Sequence, residues 1–331
     1  MAAFIVRRLI QATLVMLVVA LIAFLLFNYV GDPINNMVGQ DTTAVEREAL
    51  REQLGLNDPF YIQFGRFVEH ILEGNFGRSY RQSRPVEDMI ADYLPATLEL
   101  AVVSAILALV FGVAMGVYTA LRRYSAFSQV LMTVSLIGVS LPTFLIGIIL
   151  IQVFAVELHW LPPQGRVGGE DDLVRLGWWT TGLLSLEGWR RIILPAITLG
   201  MFQMTLIMRL VRAEMLEVLR TDFIKFARAR GLTDRAVHFG HALRNTMVPV
   251  ITITGLQFGT IIAFAIITER VFNWPGVGQM FLDAVIHVDI PVMAAYLVLI
   301  AMVFVVVNLA VDILYFVVDP RLRVERSTTG H

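Results

Sequence analysis

The chain has 331 residues, of which 57% are hydrophobic and only 16% charged, with a formal net charge of -1. A soluble domain is about a quarter charged, so this composition points to a protein embedded in lipid. It contains no cysteine, which excludes disulfides, Cys-zinc sites and thiol catalysis, and no basic tail or basic-aromatic stripe suits it to nucleic acid.

A bilayer core needs about 20 apolar helical residues. Charge-free runs at 9–30, 100–121, 129–155, 192–208, 245–268 and 290–311 meet or approach that length. Backbone polar groups in lipid must be satisfied internally, so the runs are predicted to be helices. The fold class is an all-α integral membrane protein with six transmembrane helices. The first run is too long for the apolar part of a signal peptide, and no small-x-small cleavage site follows it, so it reads as a retained helix.

Lys and Arg near span ends set the orientation. With both termini inside, segments 1–8, 122–129, 209–245 and 319–331 carry 15 of the 26 basic residues, and the short outer loops 157–191 and 269–289 carry five. Cytoplasmic termini follow.

Between the first two spans, 41–56 reads as an amphipathic helix with Val45, Ala49, Leu50 and Leu54 on one face. A second helix is predicted over 59–72, with Phe60, Phe64, Phe67 and Ile71 in a stripe. This outer region serves as a cap on the bundle, a docking surface, or both. Trp160, Trp178, Trp179 and Trp189 cluster in the 157–191 loop and read as an interfacial aromatic belt rather than a stacking site. Pro142 and Pro195 are expected to bend or open their helices, as fixed shape or as hinges.

Span interiors carry no carboxylate; Glu99, Glu269 and Asp312 fall near span ends. Ion-coupled carriers usually place ionisable groups inside their spans, so a secondary carrier is disfavoured. Ser140, Pro142, Gln203, Thr254 and Gln257 are candidates to line a polar pathway, with plain helix packing as the alternative. No Ser-His-Asp, HExxH or paired-carboxylate constellation supports an enzyme, so no catalytic residue, metal or cofactor is expected. The only lysine, Lys225, lies in Phe-Ile-Lys-Phe without the glycine-rich turn of a phosphate-binding loop.

The loop at 213–245 is unlike an ordinary connector. Asp222 is placed to N-cap a short helix, Phe223, Phe226, Ala227 and Arg230 would share a face, and Gly231 would end it before Leu232. A second helix, 233–245, leads into the fifth span. The loop is either a docking knob for another protein or a positively charged connector.

The chain resembles a known family. FARARGL followed by HALRNTMVPV resembles the cytoplasmic signature of binding-protein-dependent ABC permeases, and more closely that of the peptide/nickel permease family. The resemblance covers the whole chain: Arg7-Arg8, Gly31-Asp32-Pro33, the LGLNDP run at 54–59, GNFGRS at 74–79, GVSLPTF at 138–144, FNWPGVG at 272–278 and DPRLR at 319–323. The wider family writes its loop signature as Glu-Ala-Ala, three residues, then Gly; here the positions are Lys225, Phe226, Ala227 and Gly231, so only Ala227 and Gly231 match.

The resemblance implies a type I ABC importer permease in a bacterial inner membrane. It divides the chain into a first span (1–30), a periplasmic region (31–94), a five-helix permease core (95–318) and a cytoplasmic tail (319–331). It implies a homologous second permease subunit as heterodimer partner, two cytoplasmic ATP-binding subunits seated on the 213–245 loops, and a periplasmic or lipid-anchored solute-binding protein. The cargo it implies is di- or oligopeptides, with glutathione, nickel chelates or sugars as alternatives.

Overall fold

The computed structural model describes residues 2–29, 44–53, 57–167 and 173–318. The elements in chain order are α1 (Ala2–Tyr29), α2 (Ala44–Gln53), α3 (Phe60–Leu72), α4 (Val86–Leu121), α5 (Ala126–Ser140) and α6 (Thr143–Leu150), which continues as a π-helical segment Ile151–Glu157. A short hairpin follows, β1 (Val174–Leu176) and β2 (Trp179–Thr181), then α7 (Leu186–Val218) and α8 (Asp222–Ala229). A π-helical segment, Ala236–Ala242, runs into α9 (Leu243–Val271), followed by α10 (Val277–Ile286) and α11 (Ile290–Val318). The ends of the predicted 41–56 helix and the 319–331 tail lie outside the described residues.

Among the described residues, five helical stretches are long and apolar enough to cross a membrane: Val6–Leu26, Val86–Leu121, Leu186–Val218, Ala236–Val271 and Ile290–Val311. The predicted continuous span at 129–155 is instead a pair, Ala126–Ser140 and Thr143–Glu157, bent by 116°. Pro142 is the cause. A residue before proline is driven out of the α region, and Leu141 sits at φ -93°, ψ 141° while Pro142 starts the next helix. Pro195 behaves differently: α7 runs through it unbroken, as α9 runs through Pro249.

The described residues fall into two compact units, the first within Met1–Ala96, Arg175–Thr180 and Pro275–Val305, the second within Thr97–Val174, Thr181–Trp274 and Val306–His331. In the first, the predicted α3 stripe packs on α1. The rings of Phe60, Phe64 and Phe67 lie 5.3, 5.5 and 5.6 Å from that of Phe24. A second apolar cluster joins Val86, Met89 and Ile90 to Met280 and Ala284 of α10 and Ala295 and Tyr296 of α11. Helix α10 lies where only an outer loop was expected.

In the second unit, α7 packs against α5, α6 and α9. Glycines bring α4 and α5 close to α7. A Cβ on Gly112 would lie 2.9 Å from the Ile207 side chain, one on Gly138 2.9 Å from that of Met201, and one on Gly200 2.8 Å from the Ser104 carbonyl oxygen. Small residues at such crossings let helices pack without a hydrophobic driving force.

The helices extend beyond the charge-free runs, back to Val86 in α4 and on to Val271 in α9. As a result two carboxylates expected near span ends are buried inside helices. Glu99 receives Arg166 at 2.7 Å, and Glu269 accepts from Thr97 Oγ1 at 2.5 Å. Both are held by specific partners, as buried charge requires.

Candidate functional site

The 213–245 segment is built on the end of α7. Helix α8 turns two side chains inward, Ile224 and Ala227, three residues apart and therefore on one face. They join Val211 and Met215 of α7, Val117 and Ala120 of α4, and Val237 and Ala242 of the π-helical segment in one apolar cluster. The outward face carries Phe223, 45% exposed, and Phe226, 64% exposed. The Arg230 guanidinium lies 5.9 Å from the Phe226 ring centre, within cation-π range.

Three features of the predicted loop change. Ala227 is 7% exposed and packs inward, so it does not share the solvent-facing stripe of Phe223 and Phe226. The N-cap is Thr221, and Asp222 is the first helical residue, bonded to Lys225 at 2.8 Å. The second helix is partly π-helical and continues into α9 without a break. The C-terminal stop is as expected. Gly231 has φ +80°, its N–H donates to the Arg228 carbonyl at 2.9 Å, and the Leu232 N–H donates to that of Ala227 at 3.3 Å. This pair of bonds is a Schellman motif, which favours glycine at the left-handed position.

The polar candidates in the spans divide into two groups. Ser140 and Pro142 stand at the 116° bend. Gln203 on α7 and Thr254 and Gln257 on α9 lie on helices that pack against each other. The Gln203 Nε2 and Thr254 Oγ1 atoms are buried without a hydrogen-bond partner among the described residues. Such groups are rare and costly. An apolar groove of about 970 Å³ runs between α4 and the start of α9, lined by Leu109, Val113, Val117, Leu243 and Met247, with Arg122 among its walls. Among the described residues no cluster of His, Cys, Asp and Glu could hold a metal.

Sequence reading missed Arg166, which is 67 residues from Glu99, and the Thr97–Glu269 bond, because neither pairing leaves a local signal. It also missed the inward packing of Ala227, although Ile224 three residues earlier is the cue.

A family model described as the binding-protein-dependent transport system inner membrane component matches residues 112–324. The chain belongs to that family. A second model, for the N-terminal part of such membrane components, matches residues 1–101. The permease is 35% identical to the dipeptide transport system permease protein DppB of Alkalihalophilus pseudofirmus, across 98% of this chain and 100% of that protein. It is 36% identical to the glutathione transport system permease protein GsiC of Salmonella paratyphi A and of Escherichia coli K12, across 97% of this chain and 98% of theirs. In fold it is similar to a chain of the inward-facing MetNI methionine ABC transporter. That match has a TM-score of 0.53 and 18% identity, and covers 70% of this chain and 96% of that one. The permease is a multi-pass membrane subunit of an ABC importer.

Proposed function

We propose that this permease forms half of the membrane pathway for short peptides, the other half coming from a homologous second permease subunit. The observation that supports this reading is the near full-length relation to permeases named for dipeptides and for glutathione, itself a small peptide. Two separate cytoplasmic ATP-binding subunits drive transport. Each seats on an exposed aromatic knob of the Phe223 and Phe226 type, and this chain hydrolyses no nucleotide. Both termini are cytoplasmic. The segment 31–94 faces outward towards a solute-binding protein, 95–318 forms the permease core and 319–331 is a cytoplasmic tail. ATP binding shifts the subunit pair between inward and outward states, to which the ligand binds differently. Ser140, Pro142, Gln203, Thr254 and Gln257 contribute polar groups to the pathway. The unpartnered Gln203 and Thr254 atoms fit that role, since a passing amide or water would satisfy them.

The test is uptake into proteoliposomes containing the assembled transporter, its solute-binding protein and internal ATP. Di- to pentapeptides and glutathione are offered against a sugar and a nickel chelate. ATP-dependent accumulation of a peptide is expected. Accumulation of the sugar or nickel chelate alone overturns the peptide assignment.

A further inference from the structure

A turn in the first unit is built around one buried carboxylate. Asp289 is 4% exposed and immediately precedes α11. An Asp at that position ordinarily caps its own helix. Here its two oxygens accept from Ser79 Oγ at 2.5 Å, the Tyr80 N–H at 3.0 Å and the Arg81 N–H at 3.4 Å. Ser79 Oγ in turn accepts from the Gln82 N–H at 3.0 Å. The Ser79 N–H donates to Arg84 O and the Val86 N–H to Gly77 O, each at 3.0 Å. Two non-glycine residues beside this contact hold positive φ, Ser83 at 54° and Val288 at 53°. For a β-branched residue that conformation is an outlier, and such strain persists only where surrounding bonds enforce it.

The turn so held presents three arginines to solvent. Arg84 is paired with Asp92 at 2.9 Å. Arg81 meets the ring of His287, at 3.0 Å from Nδ1. Among the described residues Arg81 and Arg78 form no ion pair with a carboxylate. Among the described residues, two guanidiniums therefore stand on an exposed, hydrogen-bonded turn without an ion-paired carboxylate.

We propose that residues 78–84 are a docking surface for an acidic face of the solute-binding protein, with Arg78 and Arg81 as contacts and Asp289 as the residue that positions them. The inference rests on the reading above that 31–94 faces outward and that such a protein is the partner. A fixed backbone lowers the ordering cost of binding, and arginine is enriched among the residues that dominate interfaces. Complementary charge speeds encounter and makes it salt-dependent. A rigid, strained turn suits a shaped protein surface better than a fluid layer of lipid headgroups.

The assembled transporter in phosphatidylcholine nanodiscs is titrated with the purified solute-binding protein of the same transport system, at low and high salt. The double variant Arg78→Gln/Arg81→Gln is expected to weaken binding on the order of tenfold and to flatten its salt dependence. Asp289→Asn, with both arginines intact, should weaken it in the same direction, and Asp92→Asn should not. Unchanged affinity in the arginine variant, while the wild type binds, overturns the surface. So does a variant that binds the protein normally but loses affinity for phosphatidylglycerol vesicles, which would make the turn a lipid contact. A wild-type transporter that binds no solute-binding protein overturns the partnership itself.

Discussion

Arg166 donates from Nε, at 3.2 Å, and from Nη2, at 2.7 Å, to the same oxygen of Glu99, and both side chains are buried. The pair ties the loop before the hairpin to α4. That loop is also held by the Gly165 N–H on the Phe272 carbonyl, at 2.9 Å, and by Arg191 on the Gln164 carbonyl, at 2.8 Å.

A buried ion pair loses much of its attraction to desolvation, but removing one partner leaves an uncompensated charge, at a cost of about 3–5 kcal/mol. Arg166→Met alone and Glu99→Leu alone should each lower the melting temperature and yield of the detergent-purified permease. Arg166→Met with Glu99→Leu should recover most of the loss. Thermal unfolding followed by tryptophan fluorescence measures it; a double variant no better than the worse single one would contradict the coupling.

Gly116 sits where α4 crosses α7. A Cβ there would lie 2.6 Å from Val211 Cβ and 2.8 Å from the Met208 carbonyl oxygen. Two helix backbones would have to separate, and overpacking of this kind costs about 1–3 kcal/mol. Gly116→Ala should therefore destabilise. Gly65 in α3 has nothing within 4 Å of the same position, so Gly65→Ala should be neutral or stabilising by up to about 1 kcal/mol. Melting temperatures of the two variants should move in opposite directions or, at the least, differ clearly.

Hydropathy made the spans legible, because lipid demands long apolar helices and most of the runs are bounded by a charged residue. It could not show where they end, since α4 reaches Val86 through Glu87, Asp88 and Asp92 before the charge-free run begins. The bend at Pro142 was half legible: the proline announced a break, but the residues around Pro195 carry the same signal and their helix stays whole. The knob on α8 was legible as a helix with a glycine stop. Its orientation was not, because a small alanine fits either face and only the cluster around Val237 and Met215 selects the inner one. The Asp289 turn joins segments 210 residues apart and had no local signature.

Lys225 is paired with Asp222 at 2.8 Å on the exposed face of α8. An exposed i,i+3 pair of this kind contributes little stability, and no glycine-rich turn cradles a phosphate beside it. The purified chain should bind no nucleotide, and Lys225→Met should melt as the wild type does. Fluorescent ATP-analogue titration of the isolated chain checks this; saturable binding lost in Lys225→Met would make the lysine a nucleotide contact.

The outward face of α8 can be separated from its anchor by choice of residue. Phe226 is 64% exposed, so shortening it to Ala removes area from solvent rather than from the core. Phe226→Ala should leave the melting temperature of the isolated permease within about 1 °C, as surface changes usually fall within ±0.5 kcal/mol. If the aromatic knob seats in a cleft of the ATP-binding subunit, the same change should weaken that subunit's co-purification by tenfold or more, since buried aromatic anchors at interfaces commonly exceed 2 kcal/mol. Ala227→Glu acts differently. Its carboxylate would enter the cluster of Ile224, Val237 and Met215, so it should destabilise the isolated chain before any partner is added. The two variants are compared by melting temperature first and by co-purification second. A Phe226→Ala permease that melts normally and still retains its ATP-binding subunits at wild-type affinity would show that this face of α8 does not dock them.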